Sequence, residues 1–186
     1  ICFCNGPIMG ITQYPGSGKC HVVAISPITG LPMDNNVGGY FGSFLKFSGF
    51  DLLEIQGKAE KDVIIFIDGN EGIVRIEEAP LEEVDSYYLV EALTEMYAHD
   101  EDDKKNVSVV STGTGADNSL IGMLNFSFYD VKRKHTRVKQ AGRGGPGTTF
   151  RDKKIKAIVV RYAGIKADSN KVAKPELIRQ AGARIN

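Results

Sequence analysis

The chain has 186 residues and a mass of 20.3 kDa, which suits one domain or two small ones. Its 42% hydrophobic and 25% charged residues exclude disorder, coiled coil and collagen, and no run of 18 apolar residues predicts a membrane helix. The 23 basic and 23 acidic residues cancel, so bulk charge points to no partner.

Residue 1 is Ile, and the first ten residues, with Gly6, Pro7 and Gly10, already read as packed structure. The expectation is a piece of a longer polypeptide, with part of any active site elsewhere. Cys2, Cys4 and Cys20 are too few and too odd in number for a disulfide framework, which fits a reducing, cytoplasmic compartment. Cys2 and Cys4 would share one face of an alternating strand, and no second pair completes a zinc site. Buried, inert thiols are the expectation.

Strands are predicted at 21–25 and 52–56, with a short helix at 41–48 between them. Strands at 63–68 and 73–77 flank Gly69, Asn70, Glu71 and Gly72 and form a hairpin. Residues 77–103 then hold eleven acidic residues and no Lys or Arg. Within them Leu89, Leu93 and Met96 or Tyr97 recur at helical spacing, predicting a helix at 88–98 capped by Asp85 or Ser86, its acidic face solvated. Further strands are predicted at 107–111, near 120–129 and at 155–161. Ile158, Val159 and Val160 in sequence suit a strand buried on both faces. Residues 131–156 carry ten Lys or Arg against Asp152 alone, arranged around glycines rather than on a regular helix. A short helical turn follows Gly147, and a last helix spans 175–181, with Pro175 in its first turn. Strands dominate and helices interrupt them irregularly, so the class is α+β.

An internal repeat is the most informative feature. Gly38-Gly39-Tyr40-Phe41-Gly42 leads through a helix to a strand and Gly57; Gly144-Gly145-Pro146-Gly147 leads through a basic stretch to a strand and Gly164. Upstream, strand 22–25 before Thr29-Gly30 matches strand 107–110 before Thr112-Gly113-Thr114-Gly115. Two such units predict a duplicated domain with an approximate two-fold relation. Glycine loops let a backbone approach a flat or phosphorylated ligand, free N–H groups at a helix start face anions, and Arg or Lys adds charge-assisted bonds. Gly16-Ser17-Gly18-Lys19 with Asn36, Gly38 and Gly39 has that composition. So does Lys139-Gln140 with Gly142, Arg143, Gly144 and Gly145. Neither is a dinucleotide fingerprint or a P-loop. Two similar anionic ligands held by one pseudo-symmetric domain is the reading. His21 is expected to be a packed strand residue, and His99 and His135 to be exposed; none is assigned catalysis.

An ordered series of motifs resembles the N-terminal domain of tungsten-containing aldehyde ferredoxin oxidoreductases. It runs from Gly6-Pro7-Ile8-Met9-Gly10 through Ser26-Pro27-Ile28-Thr29-Gly30, Asn36-Val37-Gly38-Gly39-Tyr40-Phe41-Gly42 and Leu45-Lys46-Phe47-Ser48-Gly49-Phe50-Asp51. It continues through Ile55-Gln56-Gly57-Lys58-Ala59-Glu60-Lys61, residues 112–118, Ala141-Gly142-Arg143-Gly144-Gly145-Pro146-Gly147 and Lys154-Ile155-Lys156-Ala157-Ile158-Val159-Val160. The resemblance covers about residues 3–165. It implies a cofactor-binding domain at 1–165, with 166–186 starting a linker or helix toward a downstream domain. It also implies a base for a bis-pterin tungsten or molybdenum cofactor, one pterin contacted by each half. The implied contacts are Lys19, Asn36, Gly38 and Gly39 on one side and Lys139, Gln140, Gly142 and Arg143 on the other.

The family's iron–sulfur cysteines and acid–base residues lie downstream, so no catalytic or metal-ligating residue is assigned in this segment, which alone would be inactive. Lys19 stands where the family often has Arg, and Lys139-Gln140 replace its usual Arg-Ala. The implied activity is oxidation of aldehydes to carboxylates, with electrons leaving through a 4Fe-4S cluster to ferredoxin or an electron-transfer subunit. Relatives acting on an acyl thioester keep the substrate open, as is the oligomeric state. No membrane partner is expected. The alternative is a non-catalytic anion or nucleic-acid module built on 131–156, which Phe150, as the one aromatic of that segment, supports poorly. A third reading is a fragment whose loops have lost the ligand.

Overall fold

The computed structural model describes residues 1–82, 85–165 and 170–185. Strands β1 (Cys2–Cys4), β2 (Cys20–Ile25), β3 (Pro32–Val37) and β4 (Leu52–Glu54), with helix α1 (Phe41–Phe47), build a first unit. Period-two burial fixes its faces: β2 turns Cys20, Val22 and Ala24 inward, and β3 turns Met33, Asn35 and Val37 inward. The strands run β3-β2-β1-β4, every neighbour antiparallel.

The predicted hairpin is β5 (Val63–Asp68) and β6 (Ile73–Glu78), paired antiparallel from Val63↔Glu78 to Asp68↔Ile73. Asp68 Oδ1 shapes its turn by accepting the N–H groups of Asn70 (2.9 Å) and Glu71 (3.2 Å). Helix α2 (Ser86–Tyr97) follows, capped by Asp85, whose carboxylate accepts the Tyr87 N–H at 2.7 Å. Leu89 and Leu93 are buried and Tyr97 is partly buried, whereas Met96 is exposed, which settles the fourth position of the stripe. Glu91 and Glu95 face solvent, as expected of the acidic face. Asp85→Ala should cost about 1 kcal/mol in urea unfolding, the usual value of an N-cap; a change below a few tenths would show that packing alone holds α2.

The second unit is β7 (Val107–Ser111), β8 (Leu124–Asp130), β9 (His135–Ala141), helix α3 (Pro146–Asp152) and β10 (Ile155–Arg161). Its sheet runs β6-β5-β10-β7-β8-β9, with β10 parallel to β5 and every other pair antiparallel. β10 is buried on both faces: Ile155, Ile158 and Val160 enter one core, and Ala157 and Val159 enter the core under α2.

The order β3-β2-β1-β4 is repeated as β9-β8-β7-β10, with the same antiparallel pairings and a seven-residue helix before each last strand. The duplication is therefore real, and the β5–β6 hairpin is added onto its second copy. One detail is corrected. The strand that leads into β9 is β8, so β2 matches β8, and the strand at 107–111 matches β1. The sequence placed these one strand out because β3 and β9 carry Asp34, Asn35, Asn36, Arg137, Lys139 and Gln140 and lack a strand's apolar alternation. Both are sheet edges, where polar residues are tolerated. The residues 135–141 assigned to a basic glycine-centred loop are thus largely a strand.

The two units share one core. Phe3 on β1 and Phe41 on α1 meet Phe126 on β8 and Phe150 on α3, with ring centroids 5.5–6.3 Å apart. Helix α4 (Pro175–Ala183) returns to the loop between β1 and β2: a Cβ on Gly182 would lie 2.5 Å from the Gln13 carbonyl oxygen. Asn170 Nδ2 donates to the Met9 carbonyl at 2.7 Å. The boundary expected after residue 165 falls at 166–169, outside the described residues. Among the described residues no helix is long and apolar enough to cross a membrane.

Candidate cofactor-binding face

The register of β2 and β3 pairs Cys20 with Val37 and His21 with Asn36. Alternation therefore places Lys19, His21, Asn36 and Gly38 on the outer face of the first sheet, opposite the core. A Cβ on Gly38 would stand 3.9 Å from Lys19 Nζ and 3.7 Å from Lys139 Cγ. A cation from each unit thus converges on one glycine. Residues 19, 38 and 139 are far apart in sequence; β3 lying against β9 brings them together.

Each glycine pair packs against the other unit. Gly39 (φ +96°) would place a Cβ 3.3 Å from the Phe126 carbonyl oxygen on β8, and Gly144 (φ +76°) would place one on Met33 of β3. Asn35 completes the junction. Its buried carboxamide donates to the Arg143 carbonyl (2.9 Å) and accepts the Arg143 N–H (2.8 Å), while Ser26 Oγ donates to the Gly144 carbonyl (2.8 Å). Sequence reasoning missed Asn35 and chose its neighbour Asn36. The available signal was strand alternation, which sends one of two adjacent asparagines inward, but β3 itself was not predicted.

Arg143 and Gly142 are exposed beyond this clamp. The side chains of Lys19, Lys139 and Arg143 have no hydrogen-bond or ion-pair partner among the described residues. Gln140 is placed differently. It lies on the opposite face of β9 from Lys139, where its Nε2 reaches Asn125 Oδ1 (3.3 Å), and Asn125 Nδ2 donates to Ser86 on α2 (2.7 Å). The expected anion site at the second helix start is corrected too. Pro146 has no N–H, the Gly147 N–H donates to the Gly122 carbonyl at 2.8 Å, and those of Thr148 and Thr149 turn back to the Gly145 carbonyl. Positive charge on this face comes from side chains.

His21 is corrected from packed to outward-facing: its side chain is 40% exposed. His99 and His135 are exposed, as expected. Burial pushes the Cys20 thiol up to about 12, with Cys4 adding to it; burial and Cys2 raise Cys4. Cys20 is buried and Cys2 and Cys4 are half-buried. Among the described residues no group of three or more His, Cys, Asp or Glu could hold a metal ion.

Of the ten cations in 131–156, three are ion-paired and three more are tied to backbone carbonyls among the described residues. Arg133 and Arg137 share Asp130, Arg151 pairs with Asp62 and Asp117, and Lys153, Lys154 and Lys156 donate to carbonyls. A cavity of about 260 Å³ at Tyr40, Phe44 and Phe47, and one of about 330 Å³ at Asp62, Asp117 and Arg151, are lined by none of the candidate residues. The candidate site is an open face rather than a cleft.

Fold and face together define a duplicated α+β platform domain that presents glycine turns and unpaired cations. The chain belongs to the aldehyde ferredoxin oxidoreductase N-terminal domain family, whose model matches residues 1–162. It is 37% identical over 161 residues to a tungsten-containing aldehyde ferredoxin oxidoreductase of Pyrococcus horikoshii, covering 87% of this chain and 24% of that protein. The protein of the same description from Pyrococcus abyssi is 36% identical with the same coverage. The chain thus spans about a quarter of the length of the curated relatives it matches. Among solved structures it is similar to the active-site complex BamBC of benzoyl coenzyme A reductase with 1,5-dienoyl-CoA. The TM-score is 0.69 at 24% identity, over 86% of this chain and 22% of that one, a likeness of fold.

Proposed function

We propose that the chain is the cofactor-bearing N-terminal domain of a tungsten or molybdenum bis-pterin oxidoreductase. The observation that carries this is the convergence of Lys19 and Lys139, one from each unit, on Gly38, with Arg143 free beyond the Asn35 clamp. The donor set fits the group. Cations without carboxylate partners suit phosphate, the carboxamide of Asn36 suits a ring edge, and Gly38 and Gly142 leave the surface low. Lys19, Asn36, Gly38 and Gly39 would hold one pterin; Lys139, Gly142 and Arg143 would hold the other, with Gln140 acting from behind β9. When bound, the metal supplies the oxidation–reduction chemistry, and the protein supplies placement and charge.

The whole enzyme would oxidise an aldehyde and water to a carboxylate, passing two electrons to ferredoxin through an iron–sulfur cluster. That cluster's ligands would lie outside this segment, since Cys2, Cys4 and Cys20 sit in the first sheet with the thiols of Cys4 and Cys20 raised by burial. An acyl substrate is the variant on the same platform. Residues 1–165 would form the platform and 166–186 the start of the connection onward.

The test uses full-length protein produced with both tungstate and molybdate. Metal analysis and pterin fluorescence after denaturation should find both components. Arg143→Ala should lower retained cofactor about tenfold, the scale of one charge-assisted contact. Unchanged content would reject that role for Arg143, and wild-type protein lacking tungsten, molybdenum and pterin would reject the function.

A further inference from the structure

His21 was given no role by its sequence, yet it stands in the middle of the candidate face. Two β3 residues reach it from the same side, because residues two apart on a strand share a face. Asn36, directly opposite in the register, places Oδ1 3.2 Å from His21 Nδ1. Asp34 places Oδ2 3.5 Å from His21 Nε2. On the other flank β1 brings Cys4 directly opposite His21. Its burial-raised thiol is neutral and adds no competing anion there. An amide oxygen has no proton to give, so Nδ1 is the donor of the first contact. That contact occupies the oxygen end of the Asn36 carboxamide and leaves its two N–H groups for the surface.

We infer that His21 is the positioning residue for Asn36: through its Nδ1–H it holds the carboxamide so that the NH₂ end, and not the oxygen, faces the bound ligand. The inference rests on the reading of this face as a cofactor site. The terminal torsion of asparagine is broad and roughly two-fold, so an amide that nothing holds presents oxygen and nitrogen in turn. Beside Lys19 and Lys139 the ligand is an anion or a ring edge rich in acceptors. An outward oxygen would repel it, and an outward NH₂ adds a neutral donor between two cations. Orientation of a contact residue by a partner behind it commonly decides about ten- to a hundred-fold in affinity for the bound group.

The experiment follows loss of pterin and metal from full-length holoprotein during dialysis, with the melting temperature of each variant recorded alongside. His21→Leu should release cofactor about tenfold faster than wild type. His21→Gln, which keeps an N–H donor toward Asn36, should restore most of the retention. Adding His21→Leu to Asn36→Ala should bring no further loss, because the residue being positioned is already gone. Release from His21→Leu at the wild-type rate would overturn the inference, as would effects of His21→Leu and Asn36→Ala that multiply independently. If His21→Leu also lowers the melting temperature, the equal-sized pair His21→Gln and His21→Glu decides. A donor should retain cofactor and an acceptor should not, and equal retention would overturn the inference. Wild-type protein without pterin would instead overturn the cofactor reading itself and this inference with it, before any variant is compared.

Discussion

Gly145→Ala is expected to destabilise the full-length protein by about 3 kcal/mol or more. Gly145 has φ +79° and ψ +41°, a left-handed conformation that costs an L-residue about 1–2 kcal/mol. The larger part is steric. A Cβ at this position would lie 2.1 Å from the Leu120 carbonyl oxygen and 3.1 Å from Pro27 Cγ. The obstructing backbone cannot retreat cheaply, because Thr148 Oγ1 donates to the Ser119 carbonyl (2.6 Å) and accepts the Gly122 N–H (3.0 Å). The loss should read out as a lower melting temperature and a lower urea midpoint than wild type. Gly142→Ala is the matched control in the same loop. Gly142 is not left-handed, and its Cβ would meet Met123 at 3.7 Å, an ordinary contact. That change should fall within about 0.5 kcal/mol of wild type. Equal melting of the two variants would refute the claim that Gly145 is fixed by the close approach of the Leu120 backbone.

Arg161→Leu is expected to cost about 3–5 kcal/mol, because it leaves two nearly buried carboxylates without their cation. The guanidinium closes the end of β10, with Nε 2.7 Å from Asp103 Oδ2 and a terminal nitrogen 3.2 Å from Asp68 Oδ2. All three side chains are about 10% exposed. Asp103 also accepts from Asn106 Nδ2 (2.7 Å) and the His99 N–H (3.0 Å). The cluster therefore joins the β5–β6 turn, the end of β10 and the short 3₁₀ turn Asp102–Asn106. A loss below about 1 kcal/mol in urea unfolding at pH 7 would contradict this account.

The same cluster sets a pH dependence. Burial alone would raise the Asp103 carboxyl, but the bonds from Arg161, Asn106 and the His99 N–H outweigh it and hold the carboxyl below its ordinary range. A carboxyl depressed on folding adds stability above its unfolded value, near pH 4, and loses that stability as the pH falls through the folded value. Wild-type stability should therefore drop more steeply below about pH 4 than that of Asp103→Asn. Parallel pH profiles would show that Asp103 is not among the groups responsible.

How much was legible follows from the kind of signal each element carries. The β5–β6 hairpin, α2 with its Asp85 cap, and doubly buried β10 were readable because period, cap and turn residues all lie within one short window. Strands β3 and β9 were not. As polar sheet edges they lack the apolar alternation that marks a strand, and without them the repeat was matched one strand out of step. The expected anion site at the start of α3 failed for a related reason: which N–H groups stay free depends on Gly122, a neighbour 25 residues away in sequence.

By itself the sequence determined the α+β class, the duplication and the family, because glycine runs, caps and hydrophobic periods are local and survive without coordinates. The tertiary structure alone decided which side chains meet. It set Lys139 beside Lys19 and turned Gln140 away. It made Asn35 the clamp on Arg143 and moved His21 from the core to the outer face. The faces of His21 and Gln140 are fixed by strand register, and the meetings of Lys19 with Lys139 and of Asn35 with Arg143 by the packing of β3 against β9. A shift of one residue reverses every face, and no composition or spacing within a single segment encodes that register.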